Sequence, residues 1–210
     1  MTRQLLYLLA GAASYLIGGV NPAIVLSNLI YRQDIRTVGS KNPGFTNFKR
    51  VFGNKNAWFV FALDLLKSVG LCLIFCPLLR RAGIGYGVAA AYVGLCAMVG
   101  HAFPVWYGFR GGKGFLVGAA AIWFVDWRVG LIALGLWGAL LFTTKYMSLS
   151  VIAAALACPA ALVCLGAEPT AIWLCAAASA LMIARHHENI RRLLAGTESR
   201  FRLRGQKEGT

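Results

Sequence analysis

Charge is what this chain has least of. Asp, Glu, Lys and Arg make up only 13% of its 210 residues, and seven acidic residues face 21 basic ones, a net charge of +14. Beside 59% hydrophobic residues and a mean hydropathy of +0.66, that scarcity excludes an ordinary soluble domain. A very apolar soluble bundle would still need polar stripes along its helices, and several runs of about 18 residues have none. Cysteine pairs are lacking too. Cys72, Cys76, Cys96, Cys158, Cys164 and Cys175 lie inside apolar stretches without metal-ligand spacing, so they read as packing residues. A nucleotide-hydrolysing loop is also missing, because Lys113 is followed by Gly114 where a Walker A motif needs Ser or Thr. With no soluble domain, internal repeat or low-complexity linker, residues 1–210 are expected to form a single membrane-embedded domain.

What is present instead is a series of apolar runs. Leu5 to Tyr31 is too long for a signal-peptide core and lacks a cleavage end, so it is expected to cross the bilayer. Gly18, Gly19 and Pro22 are expected to kink it or to admit a neighbouring helix. Asn56 to Leu79 and Ile84 to His101 follow. Phe115 to Val125 and Val129 to Thr143 are short, and Leu149 to Gly166 and Thr170 to Ala184 complete the set. The expected fold is an all-α integral membrane protein, a compact bundle of about seven transmembrane helices. Sixteen Lys and Arg fall in segments 32–55, 104–113, 143–148 and 185–210, against four (Arg3, Arg80, Arg81 and Arg128) on the other side. The positive-inside rule then puts the N-terminus outside and the C-terminus in the cytoplasm, and the net charge needs no nucleic-acid partner to explain it. One run carries charge within it. Asp64 and Lys67 lie a helical turn apart, on the order of 10 Å inside the second run, so their shared face cannot meet lipid.

Under that topology three polar stretches converge on the cytoplasmic side. GSKNPGFTNFKR, Gly39 to Arg50, interleaves glycines with Ser40, Asn42, Thr46 and Asn47, which suit a phosphate monoester or polyol and suit an ordinary juxtamembrane turn equally well. GHAFPVWYGFRGGKG, Gly100 to Gly114, combines His101 with Arg110, Lys113 and glycines whose backbone N–H groups can form an anion nest. His101 there is a general base, an oxyanion donor or simply a helix-end cap. RHHENIRRLLAGTE, Arg185 to Glu198, reads as an amphipathic helix binding head groups, yet His186, Asn189 and Glu198 exceed what head groups require. His186 and His187 are adjacent and so face different ways on a helix, which argues against a metal site. No HxxxxD pattern is present: the residues five after His101, His186 and His187 are Trp106, Arg191 and Arg192.

Together these three stretches, with Asp34 to Arg36 and the Asp64 and Lys67 pair, resemble the bacterial acyl-phosphate:glycerol-3-phosphate acyltransferase family, PlsY. The resemblance covers the whole chain. It implies transfer of a fatty acyl group from acyl phosphate to the 1-position of sn-glycerol 3-phosphate, giving lysophosphatidic acid and inorganic phosphate for phospholipid biosynthesis, with no metal or other cofactor. It also implies residence in the bacterial cell membrane, contact with membrane lipids and functional coupling to the enzyme that makes acyl phosphate. Carried across, it assigns Ser40, His101 and Asn189 to the catalytic centre. Thr46, Asn47, Arg50, Lys113, His186, Gly111, Gly112 and Gly114 would bind phosphate, and Gly39, Lys41, Asn42, Gly44, Lys67, Arg110 and Glu198 complete the expected substrate-binding set. The chain departs from the family pattern at Phe115, Leu116 and Val117, and at Ser68, where small residues or glycine are usual. A transporter of phosphorylated metabolites would also want a basic, glycine-rich site, but near the bilayer midplane rather than at helix ends.

Overall fold

The computed structural model describes residues 2–201, and among them every regular element is helical. The basic residues Arg202, Arg204 and Lys207, counted in the charge argument, lie outside the described residues.

The first apolar run is two helices. Helix α1 (Arg3–Gly19) stops at Val20, and α2 (Pro22–Tyr31) restarts with Asn21 as its cap, whose Oδ1 accepts from the Ile24 N–H at 3.1 Å. Pro22 occupies the first helical position, where its missing N–H costs nothing. After a 3-10 turn (Ile35–Thr37) comes α3 (Phe45–Phe52), a helix in what the sequence reads only as a polar loop. Its apolar face buries Phe48 against Ile24, Ile35, Ala57 and Val60.

Helix α4 (Asn54–Arg81) has 28 residues, a length of about 42 Å at the usual rise. It is followed by α5 (Tyr86–Ala102), α6 (Phe115–Val125), α7 (Trp127–Thr144), α8 (Met147–Cys164), α9 (Pro169–Ala184) and the short α10 (His187–Leu194). Five stretches, Arg3–Tyr31, Asn54–Arg81, Tyr86–Tyr107, Trp127–Thr144 and Met147–Cys164, are long and apolar enough to cross a membrane, and α6 and α9 are shorter apolar helices.

Helix α5 is the centre of the bundle and packs on α1, α4, α6 and α9. Small residues make this close packing feasible, as in membrane helix pairs generally. A Cβ at Gly18 would sit 2.5 Å from the Ala97 carbonyl oxygen, and one at Gly100 would sit 2.0 Å from that of Tyr15. The outward faces carry bare apolar side chains, Leu8 at 68% and Trp173 at 75% exposure, which water would penalise and lipid would not.

The connections sort to two ends. At one end the turns near Gly85, Val125 and Glu168 approach each other. At the opposite end the segments following α2, α5, α7 and α9 meet: Arg36 reaches Tyr107, Arg50 reaches Ser199, Arg185 reaches Gly111, and the Phe201 N–H donates to the Lys145 carbonyl at 2.6 Å.

Candidate active site

The first wall of the site is the segment between α2 and α3. Asp34 caps the 3-10 turn and grips Arg36 through paired contacts down to 2.7 Å. Arg36 Nη1 then donates to the Tyr107 carbonyl at 2.9 Å, stapling this segment to the glycine loop. Asn47, nearly fully buried, fixes the turn: its Oδ1 accepts from the Ser40 N–H at 2.8 Å, and its Nδ2 donates to the carbonyls of Val38 and Ile35 at 3.1 and 3.4 Å. Asn21 Nδ2 donates to the Pro43 carbonyl at 3.1 Å. Ser40 is thereby left exposed at the tip of a rigid turn. Asn47 is engaged in building that turn, with both ends of its amide occupied.

The second wall is the glycine loop after α5. Its first two central glycines answer a lack of room. A Cβ at Gly111 would meet the His101 carbonyl oxygen at 2.0 Å, and one at Gly112 would meet His101 Nε2 at 2.3 Å and the Pro43 carbonyl at 3.0 Å. Their N–H groups donate to the carbonyls of Ala102 and His101 at 3.2 and 3.0 Å, and their carbonyls accept from Arg185 at 3.0 and 3.2 Å. The expected nest of glycine amides is therefore not formed by these two: the loop spends them on closing back against α5. The candidate anion donors that remain include side chains.

Lys113 is the foremost of these. It follows the glycines, half-buried, and its Nζ donates to Asn189 Oδ1 on α10. Burial, reinforced by the Arg192 charge, pushes its ammonium down to about 8. Asn189 donates onward to Glu198 Oε1 at 2.7 Å, which also accepts from Ser148 at 2.9 Å, while Arg192 Nε donates to Glu198 Oε2 at 2.6 Å. Burial raises the Glu198 carboxyl, but those three donors outweigh it and hold the group below its usual range. So Glu198, expected to bind substrate, is a carboxylate that positions Asn189. Beside it His186 is buried, its Nδ1 2.8 Å from the Met182 carbonyl. Burial and the Lys113 charge push its imidazole down to about 4, so the ring is neutral near pH 7.

His101 itself is almost fully buried at the end of α5. Its Nδ1 lies 3.0 Å from Lys67 Nζ, which also donates to the Val20 carbonyl at 2.8 Å. Asp64 Oδ1 completes the group 2.8 Å from Nζ, as an ion-pair contact rather than an aligned hydrogen bond. Lys67, expected among substrate ligands, is thus turned inward with its donors occupied.

The other expected residues divide. Lys41, Arg110 and Gly111 line a polar cleft of about 720 Å³ together with Arg36, Arg185 and Tyr107. Gly39 packs on the Asn47 amide, and Gly44 caps α3. Asn42 and Thr46 are half-buried on the same turn, and exposed Arg50 donates to Ser199 at 3.0 Å. Gly114 packs on Met98. Beyond it lies an apolar cavity of about 280 Å³ lined by Met98, Phe115, Trp137 and Met182 among others, so Phe115, a departure from the usual pattern, is a cavity wall. Two other departures touch each other: Ser68 Oγ donates to the Val117 carbonyl at 2.8 Å between α4 and α6. Outside the expected set the site also engages Asn21, Arg36, Asp64, Ser148, Arg185 and Arg192. Of these, Asp64 and Arg36 already stand out in the sequence, and Arg185 carries a signal as the fork-shaped donor opening the third motif.

A polytopic helical membrane protein with a cationic, hydrogen-bonded site at one end of the bundle and an apolar cavity beside it has the makings of a lipid-modifying enzyme. Comparison with known proteins makes the family explicit. Residues 8–196 match the family described as glycerol-3-phosphate acyltransferase, and the chain belongs to that family. It is 38% identical over 210 residues to the glycerol-3-phosphate acyltransferase of Agrobacterium fabrum, covering 97% of this chain and 96% of that one. It is 39% identical over 203 residues to that of Thermoanaerobacter pseudethanolicus, with 95% and 96% coverage. Among solved structures it is similar to PlsY, an integral membrane glycerol 3-phosphate acyltransferase, in its glycerol 3-phosphate form, with a TM-score of 0.85, 34% identity and 93% and 96% coverage. The lysophosphatidic acid form gives a TM-score of 0.81 at 32% identity, with 93% and 95% coverage.

Proposed function

We propose that this protein transfers a fatty acyl group from acyl phosphate to the 1-position of sn-glycerol 3-phosphate, yielding lysophosphatidic acid and inorganic phosphate. The observation that carries the reading is the meeting of three polar segments, far apart in sequence, at one end of the bundle and against an apolar cavity. An acyl phosphate is a mixed anhydride and already activated, so the protein has mainly to hold two phosphate-bearing reactants and stabilise an oxyanion. The glycerol hydroxyl oxygen attacks the acyl carbon, the carbon–oxygen bond to phosphate breaks, the phosphate leaves with the bonding pair, and the hydroxyl proton passes to a base. Ser40, His101 and Asn189 would surround the reacting centre. Lys113 and Arg50 would hold phosphate on one side of it and Lys41, Arg110 and Arg185 on the other. The cavity behind Gly114 would take the acyl chain, since Met98 and Met182 join it to Gly114 and His186.

The site end of the bundle carries most of the basic residues, which supports seven crossings with the N-terminus outside, the C-terminus in the cytoplasm and the site facing the cytoplasm of a bacterial cell. Soluble glycerol 3-phosphate would then arrive from water and the acyl chain from the bilayer. The donor is reactive towards water, which favours functional coupling to the enzyme that makes it. An acyl-Ser40 intermediate is disfavoured, because Ser40 stands on a turn with no base assigned to its hydroxyl.

Phosphate release from a long-chain acyl phosphate by purified protein, with and without glycerol 3-phosphate, tests the reading. We expect release that depends on glycerol 3-phosphate, yields lysophosphatidic acid and falls by about 100-fold or more in His101→Ala. Folded wild type that releases none in a lipid environment would sink the reading, and mass spectrometry that trapped an acyl-enzyme would replace direct attack with a two-step route.

A further inference from the structure

The protein contains three histidines, and two of them, His101 and His186, are buried at the site with different neighbours on Nδ1. A neutral imidazole has one N–H and one lone pair, and the partner of one ring nitrogen decides what the other can do.

At His101 the partner is Lys67 Nζ at 3.0 Å. An ammonium only donates, and Asp64 stands 2.8 Å from Nζ as its counter-charge. Asp64 Oδ1 is 3.6 Å from His101 Nδ1, too far to accept a proton placed there. Nδ1 is therefore the acceptor, and the proton sits on Nε2, the atom turned towards Gly112 and the first loop. At His186 the partner is the Met182 carbonyl at 2.8 Å. A carbonyl only accepts, so there Nδ1 carries the proton and Nε2 keeps the lone pair.

We propose that Lys67 and the Met182 carbonyl lock the two buried histidines in opposite tautomers, so that His101 presents an N–H to the site and His186 presents a lone pair. The roles then separate. His101 donates to a carbonyl or phosphate oxygen and is not the base that takes the glycerol proton. His186 accepts from a hydroxyl and is a poor phosphate ligand. Lys67 is a positioning residue acting through His101, and Asp64 holds Lys67. The consequence for acyl transfer rests on the proposed function, whereas the tautomers themselves do not.

The test is nitrogen-15 NMR of histidine-labelled, full-length protein in lipid bilayers at neutral pH, with signals assigned through His187→Gln and His101→Ala. The expected spectrum has His101 protonated at Nε2 and His186 at Nδ1. His101 protonated at Nδ1, or both rings in one tautomer, overturns the proposal. In Lys67→Met the His101 signals should show loss of the single tautomer, with kcat lowered about 100-fold while KM for glycerol 3-phosphate stays within about threefold. A folded Lys67→Met with wild-type kcat would overturn the role given to Lys67, and if that variant does not fold, the wild-type spectrum decides. Wild type without acyl transfer would fail the proposed function in the activity arm alone, because the spectrum is read on the resting protein.

Discussion

Two lysines set the terms of this site, and they sit in opposite circumstances. Lys67, within α4, is turned inward to Asp64, Val20 and His101, so its charge is consumed by the fold. Lys113, on the glycine loop, is half-buried with Asn189 as its hydrogen-bond partner, and burial first, then the charges of Arg192 and Arg185, depress its proton affinity. An ammonium has three donors, and a lysine with donors left over, among other cations, gains most from a bound anion. The comparison separates a cation held by three groups of the fold from one held by a single side-chain hydrogen bond. Sequence spacing alone ranks them the same.

The strongest way to break that comparison is to remove the second of these cations. Lys113→Met should lower kcat/KM for glycerol 3-phosphate by about 10- to 100-fold, the range for a hydrogen bond to a charged group. Steady-state kinetics in detergent or bilayer would measure it. Unchanged kcat/KM would mean that Lys113, like Lys67, is structural.

Next in size is a pH effect that sharpens the same contrast. The Lys113 ammonium is pushed down to about 8, so as pH rises through that value the protein loses a phosphate donor. Apparent KM for glycerol 3-phosphate should therefore be flat below pH 8 and rise above it. In Lys113→Arg the rise should vanish up to about pH 10, because guanidinium stays charged there. Persistence of the rise in that variant would assign it to another group.

The same contrast explains what the sequence could and could not tell. Apolar runs mark helices directly, and Pro22 pointed to the break that Asn21 caps. Helix α3 was legible in principle, since Phe45, Phe48 and Phe52 recur at helical spacing, but the surrounding Gly, Asn and Ser of a short segment hid it. Ser40, His101 and Asn189 stand out in the sequence because each lies in a dense polar motif at the edge of an apolar run. The use of each residue was not legible, because use is fixed by partners distant along the chain. Gly112 is a glycine because His101 Nε2 lies against it, and Lys67 is turned inward, with Nζ 3.0 Å from Nδ1 of His101, 34 residues away. Asn47 looked like a ligand and proved to be the pin of its own turn.

The smallest effect belongs to a third lysine, neither saturated nor half-buried. Lys41 is exposed and lines the polar cleft with Arg110 and Arg185. A solvent-exposed charge contributes about 0.2–1 kcal/mol to a pairing, which corresponds to no more than about a fivefold change. Lys41→Ala should therefore raise KM by about two- to fivefold at low salt. Because the field of an exposed charge is screened within about 8 Å at physiological ionic strength, that difference should shrink as salt is added, whereas the loss in Lys113→Met should survive. A salt titration of KM for both variants makes the distinction. If Lys41→Ala proved as costly and as salt-resistant as Lys113→Met, the cleft would be a second desolvated phosphate site, and exposure would no longer rank the cations of this site.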